Sequence, residues 1–330
     1  MNRLDMPPII SVITPVYNVR AFIKKCVESL LAQTFLDVEY IFVDDASTDG
    51  SIDILNKIIN KHPDRNVKII HHPVNCGLPS SRKTGYEAAS GRYIFNCDGD
   101  DWVEPTLLEK MYSAVASTDI DYAYCDFYLS YERTERYMQC PRFATPDEAL
   151  RNGYLSGTAK YNVWNKLIKR DLYDGVVFPV DHKKGGEDMI MLGVLSKAKS
   201  IAYVPEALYH YVKINTSAIS ETFSQQRLVD IRYNADAAIK VLRDTYPSDL
   251  EKEIAFFKLN VKLPFIISDD PGRFAVWKEW YPEANSYVLA NKLLPLRTRV
   301  LQFLAAHNQW WALKVYYKFA YKVIYNLLYK

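Results

Sequence analysis

Over the first 130 residues, short apolar runs alternate with stretches whose apolar residues fall three and four apart. The runs at residues 9–14, 38–44, 67–71 and 93–98 read as buried strands. Between them, residues 19–33 read as a helix with Phe22, Val27, Leu30 and Leu31 apolar, and residues 51–61 as a helix with Ile52, Leu55, Ile58 and Ile59 on one face. Residues 80–89 read as a third helix. Pro105, a residue tolerated in a first helical turn, predicts a helix start before residues 107–115. Strands alternating with helices at this spacing predict right-handed βαβ crossovers and a mostly parallel sheet flanked by helices, an α/β domain.

Beyond residues 121–128 the rhythm loosens, then resumes with a helix at 189–197 and short strands at 201–204 and 208–213. From about Thr222 the pattern is helical throughout. The expected organisation is therefore an α/β catalytic domain over residues 1–220 and an all-helical C-terminal region over 221–330.

Composition narrows the class. With 49% hydrophobic and 24% charged residues the chain is an ordinary globular protein, not a disordered one. The net charge of +2 leaves no nucleic-acid footprint. From Ala284 onward there are seven Lys or Arg and no Asp or Glu, which leaves −5 on the first 283 residues. The tail is a basic appendage on an acidic body. Five scattered cysteines without a C-x-x-C pair predict free thiols in a reducing compartment, and neither a zinc site nor a disulfide framework. Residues 1–8 carry no signal core, and no apolar run reaches the roughly 20 residues needed to span a bilayer. These features together predict a cytoplasmic protein.

Candidate chemistry lies at the strand ends. Asp44-Asp45 closes the second strand, and Asp98-Gly99-Asp100-Asp101 the fourth. Ligands of open parallel sheets bind beyond the carboxyl ends of the strands. Carboxylates gathered there repel one another unless a cation lies between them, and hard oxygen ligands suit Mg²⁺ or Mn²⁺. The plainer reading is that each cluster is a loop whose Asp caps the next helix, as Asp49 does before residue 51.

Four motifs in order then carry a resemblance: Ile13-Thr14-Pro15-Val16-Tyr17-Asn18, Val43-Asp44-Asp45-Ala46-Ser47-Thr48-Asp49-Gly50, Asn75-Cys76-Gly77-Leu78-Pro79-Ser80-Ser81-Arg82-Lys83-Thr84-Gly85, and Gly91-Arg92-Tyr93-Ile94-Phe95-Asn96-Cys97-Asp98-Gly99-Asp100-Asp101. The chain resembles family 2 glycosyltransferases, bacterial enzymes of polysaccharide and lipopolysaccharide assembly, with weaker similarity to about residue 220. The resemblance implies a GT-A-type, Rossmann-like fold and a metal-dependent, inverting transfer from a nucleotide sugar, most often a UDP-sugar. It implies that Thr14, Pro15 and Tyr17 line the nucleotide pocket, that Asp45 accepts the N–H of the base, and that Arg82 stands near base or diphosphate. Asp98 and Asp100 match the family's Asp-x-Asp, Asp98 toward the ribose and both toward the metal. Lys83 departs from the pattern, where Asn is commoner, and bears on the shape of the donor pocket.

Glu187-Asp188 precedes an apolar helix, where an acidic pair would ordinarily cap the helix and favour its dipole. The resemblance makes it the pair that supplies the catalytic base, Asp188 ahead of Glu187. His210, between two tyrosines, is either structural or the late histidine that GT-A enzymes bring to the metal. The segment Asn162-Val163-Trp164-Asn165-Lys166 resembles the family's acceptor side, and Trp164 either stacks on a sugar or lies in the core.

In residues 310–330 a lysine or asparagine recurs every four positions among Trp, Tyr, Phe, Leu and Ile. A helix of that kind fits an anionic membrane interface, each Lys contributing about 1 kcal/mol. A tail packed on the catalytic domain, or one contacting a second copy in a homodimer, fits the same pattern. Peripheral attachment to the cytoplasmic face of the inner membrane would suit a polyprenyl-linked saccharide acceptor. Two rival functions are a sugar nucleotidyltransferase, which would carry a Gly-rich basic loop after the first strand, and a catalytically silent nucleotide-sugar scaffold, which would not need Asp188. Hydride transfer is disfavoured by the lack of G-x-G-x-x-G.

Overall fold

The computed structural model describes residues 7–180, 186–215, 224–246 and 249–319. The chain divides into two compact units, Met1–Pro146 with Tyr161–Ala238, and Asp147–Lys160 with Ile239–Lys330. The division expected near Ser220 falls within residues 216–223, outside the described residues.

The first unit opens with β1 (Ile10–Val16), α1 (Ile23–Leu31), β2 (Val38–Asp44), α2 (Ser51–Ile59), β3 (Asn66–His71), α3 (Leu78–Ala88) and β4 (Tyr93–Asn96). Every residue of β1, β2 and β4 is buried, which is why these strands read as unbroken apolar runs. At the edge, β3 is a mixture of exposed and half-buried positions, with none fully buried. Pairing of β2 with β3 and of β1 with β2 and β4 is parallel throughout. The first helix is shorter than its apolar pattern suggested, because Asn18 turns left-handed at φ 51° and delays the start to Ile23.

The chain continues through β5 (Trp102–Val103), α4 (Leu107–Ala116), β6 (Tyr122–Ser130), β7 (Glu135–Met138), α5 (Pro146–Glu148), β8 (Lys166–Lys169), α6 (Glu187–Leu195) and β9 (Ile201–Val212). The sheet order is β3-β2-β1-β4-β8-β6-β9-β5, with β7 paired to β6. Strand β8 enters antiparallel between β4 and β6, making the sheet mixed beyond its parallel half. The two strands expected at 201–204 and 208–213 form one, β9, parallel to β6 with an irregularity around Cys125–Asp126. Such a bulge shifts the side-chain alternation that period-2 reading depends on. The architecture is the GT-A-like α/β fold expected. All five cysteines are free.

The second unit is helical: α7 (Gln225–Thr245) runs into it, followed by α8 (Glu251–Ile266), α9 (Pro271–Glu279), α10 (Leu296–Ala306) and α11 (Trp310–Tyr316). A π-helical segment, Ala149–Leu155, belongs to this unit. It is tied in by Asn260 Nδ2 donating to the Leu155 carbonyl and Asn291 Nδ2 donating to the Ser156 carbonyl. Lys262 is fully buried and closes the end of α9, donating to the carbonyls of Trp280 at 2.9 Å and Tyr281 at 3.3 Å, and to Asn285 Oδ1 at 2.6 Å. An ammonium at a helix C-terminus satisfies carbonyls left without intrahelical partners. Burial pulls its pKa down to about 8.

Candidate active site

The carboxyl ends of β1, β2 and β4 lie side by side, as the paired registers Val16 with Asp44 and Ile13 with Asn96 require. Thr14 is buried and its hydroxyl has no hydrogen-bond partner among the described residues, while Tyr17 is 49% exposed. Pro15 sits in β1 opposite Val43, and its carbonyl is 2.8 Å from where a Cβ on residue 99 would stand. Only glycine lets the Asp98–Asp101 turn approach β1 this closely.

Asp45 is buried and fully occupied. One oxygen accepts from the Cys76 N–H at 2.8 Å and faces His72 Nδ1 at 2.8 Å; the other accepts from Gly77 N–H at 2.8 Å and Asn75 Nδ2 at 2.9 Å. A carboxylate offers about four lone-pair sites, so these partners fill it. The His72 ring bonds on to Thr84 Oγ1 at 2.9 Å. Ligand atoms of Asp45, His72 and Cys76 all lie within 4.8 Å of one another.

Arg82 joins two parts of the site. It is buried on α3, and its Nη2 donates to Asp98 Oδ1 at 2.9 Å and to Glu187 Oε1 at 2.8 Å. Its Nε and Nη1 are buried without a partner among the described residues. Glu187 opens α6 after Gly186, whose φ of 86° and close approach to Pro179 both call for glycine. Burial raises the Glu187 carboxyl pKa against the lowering pull of Arg82. For the next residue, Asp188, no cation among the described residues opposes desolvation, and burial pushes its pKa up to about 6.

Asp100 accepts from Asn215 Nδ2 at 2.7 Å, and its pKa is raised by burial and then by the charge of Asp98. Asp101 is buried; it accepts from Tyr209 Oη at 2.6 Å and the Val212 N–H at 2.8 Å. The same Tyr209 oxygen accepts the Asp98 N–H at 3.1 Å, so one hydroxyl braces both ends of the acidic turn. Burial raises the Asp101 pKa strongly. Paired hard carboxylates whose mutual repulsion raises a pKa are a donor set that fits Mg²⁺ or Mn²⁺.

The structure brings Asp98, Asp100, Arg82, Glu187 and, by chain continuity, Asp188 into one site. Among the described residues, His210 forms no ligand cluster with Asp98 and Asp100. Its Nε2 meets Glu104 Oε1 and its Nδ1 meets Glu135 Oε1, each at 2.9 Å, and its ring stacks on Trp102 at 3.3 Å. Trp164 lies in the core, stacked on Tyr209 and Tyr211 and edge-on to Phe127. Lys166, in the same segment, is buried and donates to Asn165 Oδ1 at 2.8 Å, its pKa lowered to about 8 by burial. The roles of Tyr209, Asn215 and Asp101 escaped the sequence reading; a tyrosine beside His210 and an extra Asp in a known motif gave no hint of their pairing.

The pattern of the family described as glycosyl transferase family 2 matches residues 11–191. Two proteins of Bacillus subtilis strain 168 are similar: the uncharacterized glycosyltransferase EpsJ, 31% identical over 66% of this chain, and the putative glycosyltransferase EpsH, also 31% identical over 66%. Each match spans 64% of the relative's own length. Among solved structures, S. aureus TarS 1–349 in complex with UDP-GlcNAc superposes with a TM-score of 0.66 over 95% of this chain and 92% of TarS, at 19% identity. That likeness is one of fold. With the family pattern covering more than half of its length, and the acidic turn, Arg82 and the Glu187-Asp188 pair falling inside it, the chain belongs to glycosyl transferase family 2.

Proposed function

We propose that this chain transfers a sugar, with inversion, from a nucleotide-sugar donor to a hydroxyl of a glycan or polyprenyl-linked saccharide in cell-surface polysaccharide assembly. A UDP-sugar is the donor favoured, since the fold neighbour TarS is known with UDP-GlcNAc. The observation that carries this reading is the Arg82 bridge. It ties the acidic turn after β4 to the residue preceding Asp188, so a charge-stabilising group and a desolvated carboxylate share one site.

Asp188 accepts the proton of the acceptor hydroxyl as its oxygen bonds to the anomeric carbon and the nucleoside diphosphate departs. Glu187, already paired with Arg82, holds the turn. Mg²⁺ or Mn²⁺ held by Asp100 and Asp98 would supply neutralisation of the diphosphate charge. The unpartnered Thr14 hydroxyl is free to bond the nucleotide. For Asp45 to accept the base N–H, one of its four partners gives way; His72 and Asn75 are side chains that can turn aside, whereas the other two are backbone groups.

A panel of UDP-, GDP- and dTDP-sugars tests this, each followed for binding and slow hydrolysis with Mn²⁺ and with chelator. Metal-dependent binding of one donor is expected; binding of several donors that chelator leaves unchanged would overturn the metal assignment. The rate should also follow the Asp188 carboxyl. As its pKa is raised to about 6, the base is ionised above that pH, and kcat should fall about tenfold per unit below it. A kcat flat from pH 7 to 4.5 would remove Asp188 from the base role. Peripheral attachment at the cytoplasmic membrane face through the basic tail belongs to the same proposal. Residues 320–330 of that tail lie outside the described residues, and among the described ones no helix is long and apolar enough to cross a membrane.

A further inference from the structure

Helices α10 and α11 are apolar on two sides. Their inner sides bury Leu301, Ala305 and Leu313 in the helical unit. Their outer sides expose apolar residues at helical spacing: Leu296 (65%), Val300 (41%) and Phe303 (36%) on α10, then Trp311 (69%), Val315 (60%) and Phe319 (66%) along α11 and its continuation. Steps of four and three residues on α10, and of four and four along α11, place each set on one helix face. Just upstream, Leu289 and Leu293 are also about half exposed. Large apolar side chains in solvent are ordinary when scattered, but a helix face made of them marks a surface that is covered in use.

The charge around these faces selects what covers them. Exposed Lys292, Arg297 and Lys318 flank the two sets, and no acidic residue occurs anywhere from Ala284 to the C-terminus. Packing against a second copy through this face would set basic rim against basic rim. An anionic bilayer surface is complementary to both features, taking the aromatic and aliphatic side chains at the headgroup boundary and the cations at the phosphates.

We propose that the outer faces of α10 and α11, with Leu289 and Leu293, form an interfacial binding surface for anionic phospholipid. This surface extends the membrane contact well upstream of the terminal 20 residues and recruits α10, a helix whose sequence alone did not single it out. It separates two aromatic neighbours by role: Trp310 stacks on Phe274 at 4.8 Å within the unit, whereas Trp311 faces outward. The proposal does not rest on the glycosyl-transfer reading, and its test reads lipid binding alone.

Flotation of the full-length chain with phosphatidylcholine vesicles, and with vesicles containing phosphatidylglycerol, gives the decisive measurement. The chain should float with the anionic vesicles and much less with the neutral ones, and added salt should weaken the binding. Replacing the outward residues together, Leu296→Ser, Val300→Ser, Phe303→Ser and Trp311→Ser, should weaken anionic-vesicle binding by about tenfold or more. As these side chains are exposed, circular dichroism should remain that of the parent. A second variant, Lys292→Gln with Arg297→Gln and Lys318→Gln, should lose the preference for anionic vesicles. Equal flotation of parent and serine variant would overturn the proposal, as would failure of the folded parent to bind anionic vesicles. So would a dimer in light scattering that the serine substitutions convert to monomer, which would assign the face to self-association.

Discussion

Asp188→Asn is expected to lower kcat by about 10²–10⁴-fold while leaving nucleotide-sugar binding near its parental value. The asparagine keeps the size of the side chain and its place in the first turn of α6, so folding and the Arg82–Glu187 contact should survive. What it loses is the ability to accept a proton, which the Asp188 carboxylate combines with a pKa raised to about 6, closer to neutrality than an exposed Asp. Calorimetric binding of the donor beside a transfer assay separates the two effects. Glu187→Gln should behave differently. Glu187 is already hydrogen-bonded to a guanidinium, so neutralising it weakens the turn rather than deleting the base. Transfer unaffected by Asp188→Asn but abolished by Glu187→Gln would exchange the two roles.

Arg82→Met is expected to carry the largest stability effect, a loss of about 3 kcal/mol, the low end for breaking a buried ion pair by removing one partner. Two considerations place it there. Asp98 and Glu187 are 21% and 29% exposed, so water takes over part of their solvation. Removing the guanidinium also relieves the cost of burying Nε and Nη1, which have no partner among the described residues. The melting temperature should fall by about 6 °C, at roughly 2 °C per kcal/mol for a chain of this size. Adding Glu187→Gln to Arg82→Met should recover part of the loss, because the two residues share one interaction. An unchanged melting temperature in the single variant would mean that the carboxylates reach solvent without penalty.

The parallel half of the sheet was legible because its signals are local. Buried strands β1, β2 and β4 are short unbroken apolar runs, and α1 and α2 bury the stripes their spacing implies. The acidic residues follow directly from where those strands stop. Legibility failed at β8, β5 and β7, which are two to four residues long and too short for a period-2 pattern to register. It failed again at β9, where an irregular register against β6 interrupts the alternation in the middle of one strand. His210 shows the limit for single residues. Nothing in Tyr209-His210-Tyr211 says that Glu104 and Glu135, 106 and 75 positions away, occupy both ring nitrogens.

By itself, then, the sequence determined the α/β class, the positions of the first four strands along the chain and the position of the acidic turns, all of which depend on neighbours within a few residues. It also determined the basic, acid-free C-terminal stretch, which is a matter of composition. Tertiary structure alone decided that Arg82 spans from Asp98 to Glu187, that Tyr209 braces the turn through Asp101, and that residues 147–160 group with the C-terminal helices. It decided too that Leu313 turns inward while Trp311 faces out. Each of these is a choice among partners far apart in the chain. Such choices are made by burial and hydrogen-bond satisfaction in the folded state, where a buried polar group without its partner costs more than local preference can offset.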